Sequence, residues 1–358
     1  MSTPLNIVPR NGMIDALRGI AIVAVVLGHA NAGVTGAGLV SQEFSWLRDL
    51  NVALYLVHMP LFAFLMGLNM PLSWARKSHP QLMIQRALNF LWLYIVWTLI
   101  QGCFEVLGNR FQRGEDTTII DIFALWKPIA HLWFLPWAII VTLIIYGVQP
   151  WKNKITSWIV MIFSAGISAL MWGVNGNIFF ERGIGLIVFA VLGSLIGLTR
   201  FSRATQRLNP AKIVLGLGSL VIYLGILFMH IPNTRPTTDD PSRSFQTVGI
   251  GMLASICGVI AVIFIVSSLY RIHAMRGAQY LGKMSLQIYL GHLLFTPTTR
   301  VIFIKIGVDN PIALDLFATF AGLLGSLIIY KLTYKTFPWV YQIPLEIPFG
   351  KVQKNPSL

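Results

Sequence analysis

Between Ile14 and His29 the chain is apolar enough to cross a bilayer, yet it carries Asp15, Arg18 and His29. Ionisable groups in a spanning helix are costly and mark functional positions by default. Arg18 and His29 stand eleven residues apart, which on an α-helix is a rise of about 16 Å with a residual rotation of only about 20°. Both side chains therefore look out from one helix face, one near each side of the membrane. A guanidinium suits the binding of an anionic group, and an imidazole suits general acid/base or nucleophilic work. Arg18 also follows Asp15 by three residues, a spacing that permits an intrahelical ion pair.

Other histidines add to this pair. His58, His131, His230 and His292 fall in or beside apolar runs, whereas His79 and His273 sit in polar connections. Glu181 and Arg182 are adjacent just before another apolar run. Imidazoles can bind zinc, copper or iron. However, the chain has no His-x-x-x-His or His-Glu-x-x-His spacing and few nearby acids, so no metal is expected. A Gly-x-Ser-x-Gly elbow, a Walker-type phosphate loop and an Asp-x-Asp pair are also missing from the sequence. That narrows the chemistry toward acid/base work by histidine.

The elements that must position these groups follow from composition. With 358 residues, 55% hydrophobic and 11% charged, and a mean hydropathy of +0.69, the chain is far more apolar than a soluble domain. An all-α, polytopic transmembrane bundle forming a single domain over residues 1–358 is expected. Apolar runs of spanning length place about ten helices near 13–31, 51–71, 82–107, 131–149, 155–173, 183–199, 213–231, 247–269, 284–304 and 312–337. Pro297 should kink the ninth, with Arg300 beyond the kink. The first run lacks a small-x-small cleavage site, so it reads as a retained helix rather than a signal peptide. Residues 108–130 hold a shorter apolar patch that reads as interfacial or re-entrant. Cys103 and Cys257 lie in apolar runs and suggest neither a disulfide nor a metal site.

The net charge of +14 and pI near 10.0 would fit a nucleic-acid binder, but in a membrane chain excess Lys and Arg first sets orientation. The loops alternate accordingly. Arg76, Lys77, Arg86, Lys152, Lys154, Arg200, Arg203, Arg207, Lys212, Arg271, Arg276, Lys283, Lys331 and Lys335 fall on one side together with both termini. The acids fall mostly on the other. Both termini are therefore expected in the cytoplasm of a cell inner membrane, with membrane lipid as surroundings and no nucleic-acid partner. Arg18 then lies in the inner half, and His29, His58, His131 and His292 lie in the outer half. A tetrad in the second helix, Tyr55-Leu56-Val57-His58, is echoed by Tyr289-Leu290-Gly291-His292 in the ninth.

Arg18 followed after ten residues by His29 resembles the signature of the membrane acyltransferase-3 family. The segment from His58-Met59-Pro60-Leu61 to Met66-Gly67 resembles the second-helix segment of its fucose O-acetylase-like branch. His131-Leu132-Trp133-Phe134-Leu135-Pro136 resembles the fourth-helix motif, and the run from Leu281-Gly282-Lys283 to His292 resembles the motif near the C-terminus. Matches in order from residue 14 to residue 292 cover most of the chain.

The resemblance implies transfer of an acyl group, usually acetyl, from cytoplasmic acetyl-CoA to a hydroxyl of an envelope glycan or glycolipid. It would make Arg18 and Arg86 the groups that meet the donor's negative charge. His29 would be either the general base on the acceptor hydroxyl or a carrier of acetyl as an acyl-imidazole. His58, His131 and His292 would orient His29 or bind the sugar, with Glu181 and Arg182 lining the outer mouth. One departure concerns the third helix, where many relatives carry two arginines three apart. Here Met83-Ile84-Gln85-Arg86 supplies only the second, leaving Arg76 or Lys77 to substitute. The chain is expected to carry no appended soluble hydrolase-like domain. The rival reading from the residues alone is a transporter or flippase for a polar or lipid-linked solute, coupled to protons through His29.

Overall fold

The computed structural model describes residues 11–76, 79–109, 122–174, 176, 181–207 and 209–344. The described residues form twelve α-helices: α1 (Gly12–Gly36), α2 (Trp46–Leu68), α3 (Met70–Arg76), α4 (His79–Asn109), α5 (Phe134–Val148), α6 (Lys154–Met171), α7 (Ile187–Gln206), α8 (Pro210–Phe228), α9 (Phe245–Arg271), α10 (Arg276–Lys283), α11 (Ser285–Lys305) and α12 (Pro311–Thr333). Ten of these are long, and they match the ten expected runs in order. Among the described residues eight spans are long and apolar enough to cross a membrane, the second of them joining α2 to most of α3; α5 is shorter, and α11 lies outside the eight. The protein is a polytopic helical bundle.

Local signals set the helix ends. The Asn11 side chain accepts from the Met13 and Ile14 amides at the start of α1, and Asn209 and Asn310 do the same for α8 and α12, each followed by Pro at the first turn. Ser244 and Thr247 form a reciprocal capping box at α9. Gly197 adopts φ 67°, ψ 154° and breaks α7 where the apolar run ends.

α1 is the central helix. It packs on α2, α9, α11 and α12, and most intimately on the short α10. There the backbones touch: a Cβ on Gly282 would lie 1.7 Å from the Asp15 carbonyl oxygen, and one on Gly19 would lie 1.8 Å from that of Ala278. Leu17, Ile22 and Val26 of α1 are fully buried in the main core with Leu65, Leu93, Trp97, Trp137 and Leu290 from surrounding helices.

Two expectations, on His131 and on the stretch between α9 and α11, need correction. α11 runs from Ser285 through Pro297 to Lys305 as one helix, packed against α12 and α1. Arg300 lies on it, over Gly33, where a Cβ would overlap its guanidinium. His131 does not open a helix; it sits in a turn, and α5 begins at Phe134. The polar stretch around Arg276 and Lys283 is helical rather than plain loop, since eight residues with few apolar positions carry too weak a pattern to register by hydropathy. Of the expected interfacial patch at 108–130, residues 110–121 lie outside the described residues.

Candidate active site

His29 sits near the C-terminal end of α1 and meets two other histidines there, with a third, His58, joined through Tyr55. Its ring centroid is 5.2 Å from that of His292 and 5.8 Å from that of His131, and His131 and His292 are 4.6 Å apart. Tyr55, one turn before His58 on α2, links the second helix to the group at 6.4 Å from His29 and 4.9 Å from His58. His58, His131 and His292 are buried, whereas His29 is half-buried and keeps an accessible face.

Backbone carbonyls fix the buried rings. A carbonyl only accepts, so the nitrogen facing it carries the proton. His58 Nδ1 donates to the Leu54 carbonyl at 2.6 Å. His292 Nδ1 donates to the carbonyls of Tyr289 at 2.8 Å and Ile288 at 3.1 Å. His131 Nε2 donates to the same Tyr289 carbonyl at 2.7 Å. The Tyr289 hydroxyl returns a short hydrogen bond to the His131 carbonyl. This leaves His131 Nδ1 and His292 Nε2 buried with free lone pairs and no hydrogen-bond partner among the described residues.

Two arginines close this end of the bundle. Gly183, at φ 87°, lets the chain pass under Trp133, where a Cβ would overlap the indole. Arg182 is thereby laid over the Trp133 ring at 5.4 Å and donates to the Ala130 carbonyl at 3.3 Å. Burial draws its guanidinium below the ordinary value, while Tyr55, Tyr289 and Asp239 pull the other way. Arg235, between α8 and α9, lies over Tyr55 at 5.9 Å and donates to Asn51 at 3.1 Å. Asn51 in turn donates to the Gly28 carbonyl at 3.2 Å. Glu181 is at the same end, but its carboxylate packs against Gly176, where a Cβ would overlap it.

The opposite end of α1 holds the other half of the expected set. Arg18 and Arg86 line one cavity of about 430 Å³ together with Asn69, Gln85, Asn89 and Thr142. Arg86 is held by Tyr146 Oη at 2.5 Å and Ser73 Oγ at 2.8 Å. Arg76 closes α3; Lys77 lies outside the described residues. No group of three or more His, Cys, Asp or Glu side chains placed to hold a metal occurs among the described residues.

Sequence reasoning passed over Tyr55, Tyr289, Asn51, Arg235 and Gln101, whose amide donates to the Leu290 carbonyl beside His292 at 2.8 Å. Only the tyrosines carried a signal, as the repeated Tyr-Leu-x-His tetrad. The rest reach the site through loop geometry or from a helix remote in sequence. The buried pair Asn31 and Asp315, joined at 3.1 Å, was also passed over.

Comparison with known proteins bears on the same residues. The profile of the acyltransferase domain of the acyltransferase-3 family matches residues 11–331, which includes both ends of α1 and the whole histidine cluster. Nodulation protein NolL of Mesorhizobium japonicum is 26% identical over 164 residues, covering 44% of this chain and 41% of the relative. Nodulation protein NolL of Sinorhizobium fredii is 26% identical over 157 residues, with the same coverage of both chains. The chain thus spans about two fifths of the length of these curated relatives. No solved structure matches it. A polytopic bundle with histidines gathered at one end of its central helix and Arg18 and Arg86 at the other, matched by that profile over nearly its whole length, belongs to the acyltransferase-3 family of integral membrane acyltransferases.

Proposed function

We propose that this acyltransferase moves acetyl from cytoplasmic acetyl-CoA to a hydroxyl of an envelope glycan or glycolipid, using the two ends of α1 for the two substrates. The observation that carries the reading is the division of labour on one helix. Arg18 shares a cavity with Arg86, and His29, about 16 Å along the axis, is the accessible member of the histidine cluster. Arg18 and Arg86 would hold the donor's phosphates by charge-assisted hydrogen bonds, and both termini would lie with the donor on the cytoplasmic side.

His29 has two ways to use that position. As a base, it takes the proton of the acceptor hydroxyl while the oxygen attacks the thioester carbonyl. The C–S bond breaks and the CoA thiolate leaves, to be protonated by the imidazolium. As a relay, its nitrogen attacks the thioester first, releasing CoA thiol and leaving an acetyl-imidazole that the acceptor hydroxyl then opens. In both, His131 Nδ1 and His292 Nε2 supply lone pairs beside the ring that becomes charged. Arg182 and Arg235 stand where an acceptor sugar would enter.

The test is transfer from radiolabelled acetyl-CoA in membrane vesicles containing the protein, beside His29→Ala and Arg18→Ala. Label should reach an envelope lipid or glycan with the parent protein and be lost in both variants. Label retained on parent protein withheld from acceptor favours the relay. Folded parent protein that gives no transfer with any native envelope fraction refutes the proposal.

A further inference from the structure

The Arg18 and Arg86 cavity is too small in cationic groups for the whole of a CoA molecule, which carries three phosphoryl groups and an adenine. A second cavity is lined by Pro71, Leu72 and Ala75 of α3, the helix that starts one residue after Asn69 of the first. It measures about 640 Å³ and lies between α3, the start of α6 and the break in α7. Its wall carries Trp151, Lys152, Lys154, Ser157 and Arg200, and no carboxylate is among its lining residues.

Several independent features converge on this space. Lys152, Lys154 and Arg200 are exposed, so their charges are not consumed inside the fold; among the described residues Arg200 makes only a marginal 3.5 Å contact to the Leu195 carbonyl. α6 begins at Lys154, and the positive end of its dipole favours an anion there. The break at Gly197, between the two helical stretches of α7, lies on the cavity wall. Trp151 is half-buried and contributes an indole, the usual platform for a nucleobase.

A chain of side-chain contacts links the walls of the two cavities. Arg86 donates to Tyr146 at 2.5 Å. Tyr146 stacks on Trp74 of α3 at 5.3 Å and meets Trp151 edge-on at 6.3 Å. In order across this face stand Trp151 with its cations, then Arg86, then Arg18, then the α1 path to His29.

Resting on the acyl-CoA reading above, we infer that the cavity of Trp151, Lys152, Lys154 and Arg200 is the seat of the donor's 3′-phosphoadenosine end. Lys152, Lys154 and Arg200 meet the ribose 3′-phosphate, and Trp151 meets the adenine. The diphosphate falls to Arg86 and Arg18, and the pantetheine arm runs from there toward His29. No bond is made or broken in this cavity; it selects the donor and sets its direction.

The experiment compares CoA with 3′-dephospho-CoA as ligands of the purified full chain in lipid nanodiscs, and acetyl-CoA with S-acetylpantetheine as donors. The triple variant Lys152→Gln, Lys154→Gln, Arg200→Gln removes charge from exposed positions and leaves packing alone. The parent should bind CoA at least tenfold more tightly than 3′-dephospho-CoA, and the variant should bind the two alike. The ratio of kcat/KM for acetyl-CoA over S-acetylpantetheine should fall at least tenfold in the variant, through KM. A parent that binds both nucleotides equally, or a variant that keeps the parent's preference, overturns the inference while acetyl transfer stands. A parent that binds no CoA at all overturns the inference and the reading beneath it together.

Discussion

His131 and Tyr289 hold each other reciprocally: the His131 ring donates to the Tyr289 carbonyl, and the Tyr289 hydroxyl donates to the His131 carbonyl. The Tyr289 carbonyl also takes the Nδ1 proton of His292. One residue on α11 therefore fixes the tautomer of two histidines facing His29. Tyr289→Phe removes the return bond, leaves a buried carbonyl short of a partner, and should lower stability by about 1–3 kcal/mol. Acetyl transfer should fall further than that loss of folded protein explains, because the turn that carries His131 loses its tie to the Tyr289 hydroxyl while the ring keeps its bond to the residue-289 carbonyl. Unfolding in detergent and transfer per folded molecule, measured side by side, separate the two effects.

The cluster histidines should not be equivalent. His29 is the accessible one, so His29→Ala should remove the general base or relay and reduce transfer by about 10²–10⁴-fold. His58 is turned to the Leu54 carbonyl and contacts Tyr55 rather than open space. His58→Ala should therefore cost less activity than His29→Ala, with more of its effect on stability. A ranking in which His58→Ala is the worse of the two for transfer per folded molecule would move the reacting nitrogen to α2.

At the other end, Arg86 is gripped as a fork between Tyr146 and Ser73. Lysine has one charged nitrogen and no planar pair of donors, so Arg86→Lys cannot span both partners. We expect the KM for acetyl-CoA to rise about tenfold, equivalent to about 1.4 kcal/mol of donor binding. Tyr146→Phe should show a smaller rise of the same kind. An unchanged KM in both variants would remove Arg86 from the donor site and leave Arg18 to act without it.

Much of this was legible in sequence because membrane helices announce themselves through hydropathy, and because burying Arg18 and His29 on one apolar run is too costly to be accidental. The ten runs and the gathering of His29, His58, His131 and His292 follow from that. What escaped was carried by other signals. Arg235 belongs to a loop, and its approach to Tyr55 depends on how the α8 to α9 connection folds back. Gln101 meets α11 from a helix nearly two hundred residues away in sequence. Arg300 was legible as a charge, but its fit over Gly33 depends on α11 continuing through Pro297. Glu181 and Arg182 were both expected to line the mouth, yet the turn sends the two side chains to different neighbours.

The short α10 escaped as well, and it supplies the sharpest structural test. At Gly282 an added Cβ would meet the carbonyl oxygen and carbon of Asp15 at 1.7 and 2.6 Å and the amide nitrogen of Gly19 at 2.9 Å. All three are backbone atoms of α1 and cannot rotate away, so Gly282→Ala must push the two helices apart. Overpacking of this kind costs about 1–3 kcal/mol. Gly277 on the same helix has nothing within 4 Å of its added Cβ, and there the change to alanine should stabilise by about 0.5–1 kcal/mol through helix propensity. Thermal unfolding in detergent should thus move in opposite directions for two identical substitutions five residues apart. Because the displaced segment of α1 includes Arg18, Gly282→Ala should also raise the KM for acetyl-CoA, while Gly277→Ala leaves it unchanged. If both variants unfold alike, α10 does not pack on α1 as described, and the position of Arg18 must be redrawn.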